Sequence, residues 1–257
     1  MLEDDYADVI RKALVGRGWL ESDLVAQLGI QSQVWQSFLA GDFDKDLAKQ
    51  VAAVLHLNPE AFAAHPIYHP KSLNVVGVTQ LELPFGQWTV NAWWVERGNT
   101  RLVFDAGSGP CDLIEDLPSL PQQCFITHGH HDHVGGVEAL IEKGVTIRGA
   151  EFSGLPRVSV GEVIDCGELK LKVCDLSGHA MPAVGYHIEG LETPVLVVGD
   201  SLFAGSMGKT PNPDCYQLAL HTLQEALEGL GEDTVLLTGH GPATTVGEER
   251  KGNPFLT

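Results

Sequence analysis

Basic residues are scarce in this sequence: 16 Lys and Arg stand against 34 Asp and Glu, a formal net charge of -18. A surface so short of cations repels phosphate backbones and anionic lipid. It argues against nucleic acid or a membrane as a main partner, and it favours solubility. Cysteine is scarce as well. Cys111, Cys124, Cys166, Cys174 and Cys215 are odd in number and form no C-x-x-C pair. Free thiols in a reducing cytosol are therefore expected, not a disulfide framework. No run of about eighteen apolar residues is present to span a bilayer. The acidic start MLEDDYADVI lacks the apolar stretch of a secretory signal, so the expected location is the cytoplasm. No G-x-S-x-G elbow suggests a serine nucleophile either.

What is present is an ordinary globular composition, 44% apolar and 19% charged, in 257 residues. That length suits one large domain, or a medium domain with a small companion. Residues 1–70 read as helical. Val9, Ile10, Ala13 and Leu14 recur at helical spacing before Gly16 and Gly18. Ser22 is placed to cap a helix ending at Gly29, and Ser32 to cap one ending at Gly41. A further series at Leu47, Ala48, Val51, Val54 and Leu55 is expected to stop near Asn58-Pro59, and residues 64–71, with Pro66 and Pro70, read as a linker.

Within this unit, SDLVAQLGIQSQVWQSFLAGD (residues 22–42) resembles the helix-turn-helix of repressor-type DNA-binding domains. The helix that would enter the groove, residues 31–40, carries no Lys or Arg. Across residues 1–70, ten acidic groups face five basic ones (Arg11, Lys12, Arg17, Lys45 and Lys49). A DNA reader needs cations at the phosphates. A packing or homo-oligomerisation module is the preferred reading, with Trp35 and Phe38 as either core or interface.

From about residue 72 strands alternate with helices, which implies a layered α/β domain over residues 71–257. Strands are expected at 73–83, 88–95, 101–104, 124–127, 169–173, 184–188, 194–198 and 234–237. Helices are expected near Cys111, at 134–143 and at 214–230.

The sharpest chemical signal is Thr127-His128-Gly129-His130-His131-Asp132-His133, at the end of an expected buried strand. Neutral imidazole and carboxylate form a ligand set that zinc, iron or manganese accepts. The spacing of His128 and His130 lets both leave the turn on one side, while Asp132 and His133 can face a second metal from the next helix. His131 is expected to face solvent. Three further candidates follow expected strands, each beside glycine: His179, Asp200 and His240.

These residues resemble the metallo-β-lactamase superfamily, whose signature is T-H-x-H-x-D-H followed by separate His, Asp and His. The likeness covers residues 73–257, including NAWWVERGNTRLVFDAGSG, and is strongest to short glyoxalase II members through GDSLFAGSMGK, TGHGP and GEERKGNPF. It implies an αββα sandwich, two mixed sheets flanked by helices, preceded here by a small all-helical domain. It also implies that His128, His130 and His179 bind one divalent metal, that Asp132, His133 and His240 bind another, and that Asp200 bridges them. Zinc is the leading metal, with iron and manganese as alternatives. Asp105 is implied to orient a ligand by hydrogen bonding.

One departure stands out. Lys209-Thr210-Pro211 occupies the place where short glyoxalase II members usually carry Arg and then Thr-Asp. Lys209 keeps a positive charge for the substrate, while Pro211 removes a carboxylate.

The expected activity is hydrolysis of a small acyl substrate, a thioester first. Two metals about 3.5–4 Å apart would hold a bridging hydroxide, with Asp132 and Asp200 as the catalytic carboxylates. The alternatives are another bond (a lactone, β-lactam or phosphodiester), a one-iron persulfide dioxygenase, or a DNA-binding regulator with a metal-dependent sensor domain.

Overall fold

The amino-terminal apolar series become α1 (Tyr6–Arg17), α2 (Glu21–Leu28), α3 (Ser32–Leu39), α4 (Lys45–Leu55) and α5 (Pro59–Ala64) in the computed structural model, which describes residues 1–150 and 154–256. Asp5 starts α1 by accepting hydrogen bonds from the Ala7 and Asp8 amides, and Gly18 ends it in the left-handed region. The expected serine caps are displaced. Helix α2 begins one residue before Ser22, because the Asp23 carboxylate accepts from the Leu20 amide and closes the turn there. Ser32 lies inside α3, after Gln31. Asn58-Pro59 is a start and not a stop: Asn58 accepts from the Glu60 and Ala61 amides, and Pro59 occupies the first turn of α5. Helix α4 has already ended at His56, with φ 60.

The remainder builds two sheets. The first runs in the order β1 (Val78–Phe85), β2 (Trp88–Arg97), β3 (Thr100–Phe104), β4 (Gln123–Ile126), β5 (Thr146–Gly149). Its first two pairings are antiparallel and its last two parallel. The second comprises β6 (Val163–Cys166), β7 (Leu169–Asp175), β8 (Val184–Glu189), β9 (Val195–Gly199), β10 (Val235–Thr238) and β11 (Thr244–Thr245), and only β9 and β10 pair in parallel. Short α6 (Asp112–Asp116), α7 (His131–Val134) and α8 (Val137–Glu142) lie on the first-sheet side, and α9 (Pro213–Leu227) and α10 (Val246–Gly252) on the second. The result is two mixed sheets flanked by helices, with helices α1–α4 added at the amino terminus.

Burial follows these layers. Trp93, Phe104 and Phe125 from the first sheet meet Leu171, Tyr186 and Val197 from the second, forming the apolar filling between them. Strand β1 is shorter than its apolar run, beginning at Val78. The helix expected over 134–143 is broken, because the Gly135 and Gly136 amides donate to Gly107 and Ala106 carbonyls across the neighbouring loop. Strands β5, β6 and β11, and helices α5 and α10, were not expected. Among the described residues no helix is long and apolar enough to cross a membrane.

The helical layer is not loosely tethered. Trp35 and Phe38 are core residues, 2% and 1% exposed, in one apolar cluster with Val51, Leu55 and Phe62. That cluster continues into Met207, Tyr216, Ala219 and Phe255 of the sandwich part. The expected linker is pinned as well. Tyr68 Oη donates to the fully buried Glu249 carboxylate at 2.5 Å, and the Lys71 amide donates to Glu248 at 2.9 Å. Glu249 also accepts from the Gly205 amide, Thr244 and Asn253, which satisfies a carboxyl whose pKa burial raises.

Candidate metal centre

Strands β4, β9 and β10 end on one side of the sandwich, and the chain leaves each of them carrying a polar side chain. His128 follows β4, with His130 just before α7 and Asp132 and His133 within it. His179 lies in the loop after β7, Asp200 directly after β9, and His240 just beyond β10. All seven converge. The donor atoms of His128, His130, His179 and Asp200 lie within 4.8 Å of one another, and so do those of Asp132, His133 and His240. Asp200 reaches across: one oxygen is 3.2 Å from His133 Nε2, and the other is 3.4 Å from His179 Nε2 and 3.5 Å from His240 Nε2. His131 faces solvent, as expected.

The outward nitrogen of four imidazoles is occupied by the protein. His133 Nδ1–H donates to Asp105 at 2.8 Å, His240 Nδ1–H to the Thr89 carbonyl at 2.8 Å, and His179 Nδ1–H to the Lys209 carbonyl at 2.7 Å. His128 Nδ1 lies 3.0 Å from the Thr127 hydroxyl, which itself donates to Asp105 at 2.8 Å. Each ring therefore turns its Nε2 lone pair inward, the arrangement by which outer partners orient metal-binding histidines.

That inward arrangement is incomplete without a cation. His130 Nδ1 stands 3.1 Å from His128 Nε2 and 3.0 Å from His179 Nε2, three acceptor-capable nitrogens at contact distance. His133 Nε2 and Asp200 Oδ1 are buried 3.2 Å apart without hydrogen-bond geometry, and neither has another hydrogen-bond partner. Buried orphans of this kind call for an explanation, and a divalent cation with nitrogen and oxygen ligands supplies one. The electrostatics agree. Burial pushes the His128 and His179 pKa values down, His128 well down, keeping those imidazoles neutral. Burial opposes protonation of His133 and His240 too, but carboxylates override it. Asp200 and Asp105 drive His133 well up, and Asp132 and Asp200 carry His240 to about 10. Against burial, His240 lowers Asp132, and His133 lowers Asp200 well below the usual range. A field that would otherwise hold protons is one that a cation can occupy in their place.

The backbone makes room for this crowding. A Cβ on Gly239 would strike the Asp200 carboxylate and His133, and one on Gly208 would strike the Asp200 carbonyl and the His179 ring. Asp105 sits at φ 62, a conformation that a residue with a Cβ seldom adopts. Its carboxylate accepts from the Thr127 amide and hydroxyl as well as from His133. Asp105→Asn, which keeps the shape but disturbs both histidine supports, is expected to weaken zinc binding by about 10–100-fold. Titration against a competing chelator measures it, and unchanged affinity would contradict the role.

Two cavities open beside the cluster and share His179 and Lys209. One, of about 560 Å³, runs past His130, Met181 and Pro211, and the other, of about 270 Å³, lies over Asp200 and His240. Lys209 thus holds His179 through its carbonyl while its side chain stays exposed between the cavities. The smaller cavity is also lined by Glu3, Lys12, Phe85, Trp88 and Phe203. Glu3, Lys12, Phe85 and Trp88 have no candidate ligand near them in the chain, whereas Phe203 lies three residues after Asp200 and was legible from that neighbour.

Fold and site together define a sandwich of the αββα type with a candidate metal-binding cluster. Residues 85–151 match the model of the metallo-beta-lactamase superfamily. Hydroxyacylglutathione hydrolase GloC of Haemophilus influenzae is 29% identical over 192 residues, 63% of this chain and 90% of the relative. Among solved structures, the BLEG-1 B3 metallo-beta-lactamase superposes with TM-score 0.58 at 24% identity, over 70% of this chain and 99% of the neighbour. TTHA1623, solved in a di-iron-bound form, gives 0.54 at 24% identity over 68% and 99%.

Proposed function

We propose that this protein hydrolyses a small acyl substrate, a thioester first, at a centre of two divalent cations. The observation that carries this reading is Asp200, whose two oxygens face both donor groups at 3.2–3.5 Å. His128, His130 and His179 would hold one cation, Asp132, His133 and His240 the other, with Asp200 common to both. When bound, such a pair supplies Lewis acidity and lowers the pKa of a water toward neutrality. Zinc is the leading choice, and iron or manganese suits the same donors; a neighbour of this fold was solved with two irons.

The chain's own residues supply the rest. Asp132, 3.3 Å from His240 Nε2, turns a carboxylate oxygen into the cluster, where it can accept a proton from the attacking water. Asp105, through Thr127 and His133, fixes two rings from behind. Phe85 and Phe203 flank His240 and give the smaller cavity an apolar side. The thioester preference rests on the likeness to a hydroxyacylglutathione hydrolase. Residues 1–70 are read as a packing and self-association layer, in keeping with the absence of Lys and Arg from α3.

Zinc-loaded protein is expected to cleave at least one member of a panel of acyl-thioesters, to lose that activity with a chelator and to regain it on zinc addition. Cleavage of lactones or phosphodiesters alone would move the reading to another bond. One iron per chain with oxygen uptake on a persulfide would replace hydrolysis altogether.

A further inference from the structure

The smaller cavity holds a cation from an unexpected place. Lys12 lies in α1, remote in sequence from every strand, yet its side chain is only 11% exposed. The ammonium is paired with Asp4, itself 9% exposed, and sits 5.0 Å above the Phe203 ring. The Phe203 ring in turn meets His240 edge-on at 5.7 Å. Lys12, Phe203 and His240 thus form a short stack leading from the helical layer to the candidate metal centre. Glu3 and Lys209 are the other charged groups lining this cavity besides Asp200 and the imidazoles.

A lysine taken out of water is costly unless something is gained by its position. Asp4 fixes the ammonium but uses one of its three N–H donors. The cavity beside it, about 270 Å³, is just below the roughly 300–1,000 Å³ of drug-sized ligand sites, so its occupant is small. In a chain with only 16 Lys and Arg, two of them line this one space. An occupant with one acyl oxygen at the cluster and a second negative group a few atoms away would meet Lys12.

We propose that Lys12 is a specificity-determining residue and that the acyl substrate carries a second anionic group, a carboxylate or its equivalent, which Lys12 receives. This deepens the hydrolase reading above and rests on it for the word substrate. The amino-terminal layer then forms one wall of the active site as well as a packing surface.

Succinate and butyrate share a four-carbon chain and differ in the second carboxylate, so their competition isolates the Lys12 term. Zinc-loaded protein is expected to bind succinate about tenfold more tightly than butyrate, the scale of a hydrogen bond between charged groups. Lys12→Met is expected to abolish that preference, and Lys12→Arg to keep most of it. Metal content is measured on each preparation. In the unaltered protein, succinate is expected to shield Lys12 from reductive methylation, read by mass spectrometry, while butyrate does not. This arm needs no variant to fold. Equal binding of the two acids, a preference that survives Lys12→Met, or equal labelling would overturn the proposal. Thioester turnover on the same unaltered protein is scored separately. Its failure removes the hydrolase reading and leaves the binding comparison to stand or fall alone.

Discussion

Asp200→Ala is expected to leave a folded protein that has lost its metals and, with them, activity by on the order of a thousandfold, the rate equivalent of several kcal/mol. The loss is large because one carboxylate faces both donor groups, 3.2 Å from His133 Nε2 and 3.4–3.5 Å from His179 and His240. Removing it opens both halves at once, whereas truncating His130, exposed at the rim, opens one. The fold is expected to survive because Asp200 contributes little to it. Its side-chain contacts are with imidazoles that need a cation in any case, Oδ1 with His133 at 3.2 Å and the other oxygen with His179 and His240 at 3.4–3.5 Å. Thermal unfolding separates the two effects. Added zinc should raise the midpoint of the unaltered protein, since a ligand bound only by the native state stabilises it. It should leave the variant where it was, near the metal-free parent. A variant that still takes up metal at parental stoichiometry would remove Asp200 from its bridging place.

Deletion of residues 1–64 is expected to yield an aggregating or unfolded protein instead of a smaller working enzyme. The helices bury Val9, Ile10, Leu14 and Phe62 in the same cluster as Met207, Tyr216 and Phe255. Helix α1 approaches so closely that a Cβ on Gly16 would collide with the Tyr216 ring. Uncovering Met207, Tyr216 and Phe255 alone forfeits roughly 1.5–3 kcal/mol each, which together rivals a typical net stability of about 5–15 kcal/mol. The deletion also strips Glu3 and Lys12 from the smaller cavity. Soluble yield and the cooperativity of thermal unfolding measure the outcome. Cooperative unfolding within a few degrees of the full chain would show that the sandwich part stands alone.

The site was more legible in the sequence than the fold around it, for a local reason. Four candidate ligands fall between His128 and His133, where one strand end and one turn dictate their geometry. His179, Asp200 and His240 are scattered but share a setting, a strand end beside glycine. Close packing demands that glycine at Gly239, and the same demand recurs at Gly208, which follows Asp200 in the next loop. The start of α2 falls before Ser22 because the Asp23 carboxylate accepts from the Leu20 amide, whereas α3 begins at Ser32 itself, after a Gln31 whose side chain makes no capping hydrogen bond. Strands β5, β6 and β11 have four, four and two residues, too few for an alternating pattern to stand out. Lys12 and Glu3 were illegible in a deeper sense. Their approach to His240 depends on how α1 docks against α9, which no local spacing encodes.

A pair of cations is proposed to join these seven side chains. Anomalous X-ray scattering from metal-loaded crystals, collected at the absorption edge of the metal present, tests it most directly. Two peaks are predicted, one among His128, His130 and His179 and one among Asp132, His133 and His240, with Asp200 contacting both. A single peak, or peaks away from these residues, would contradict it.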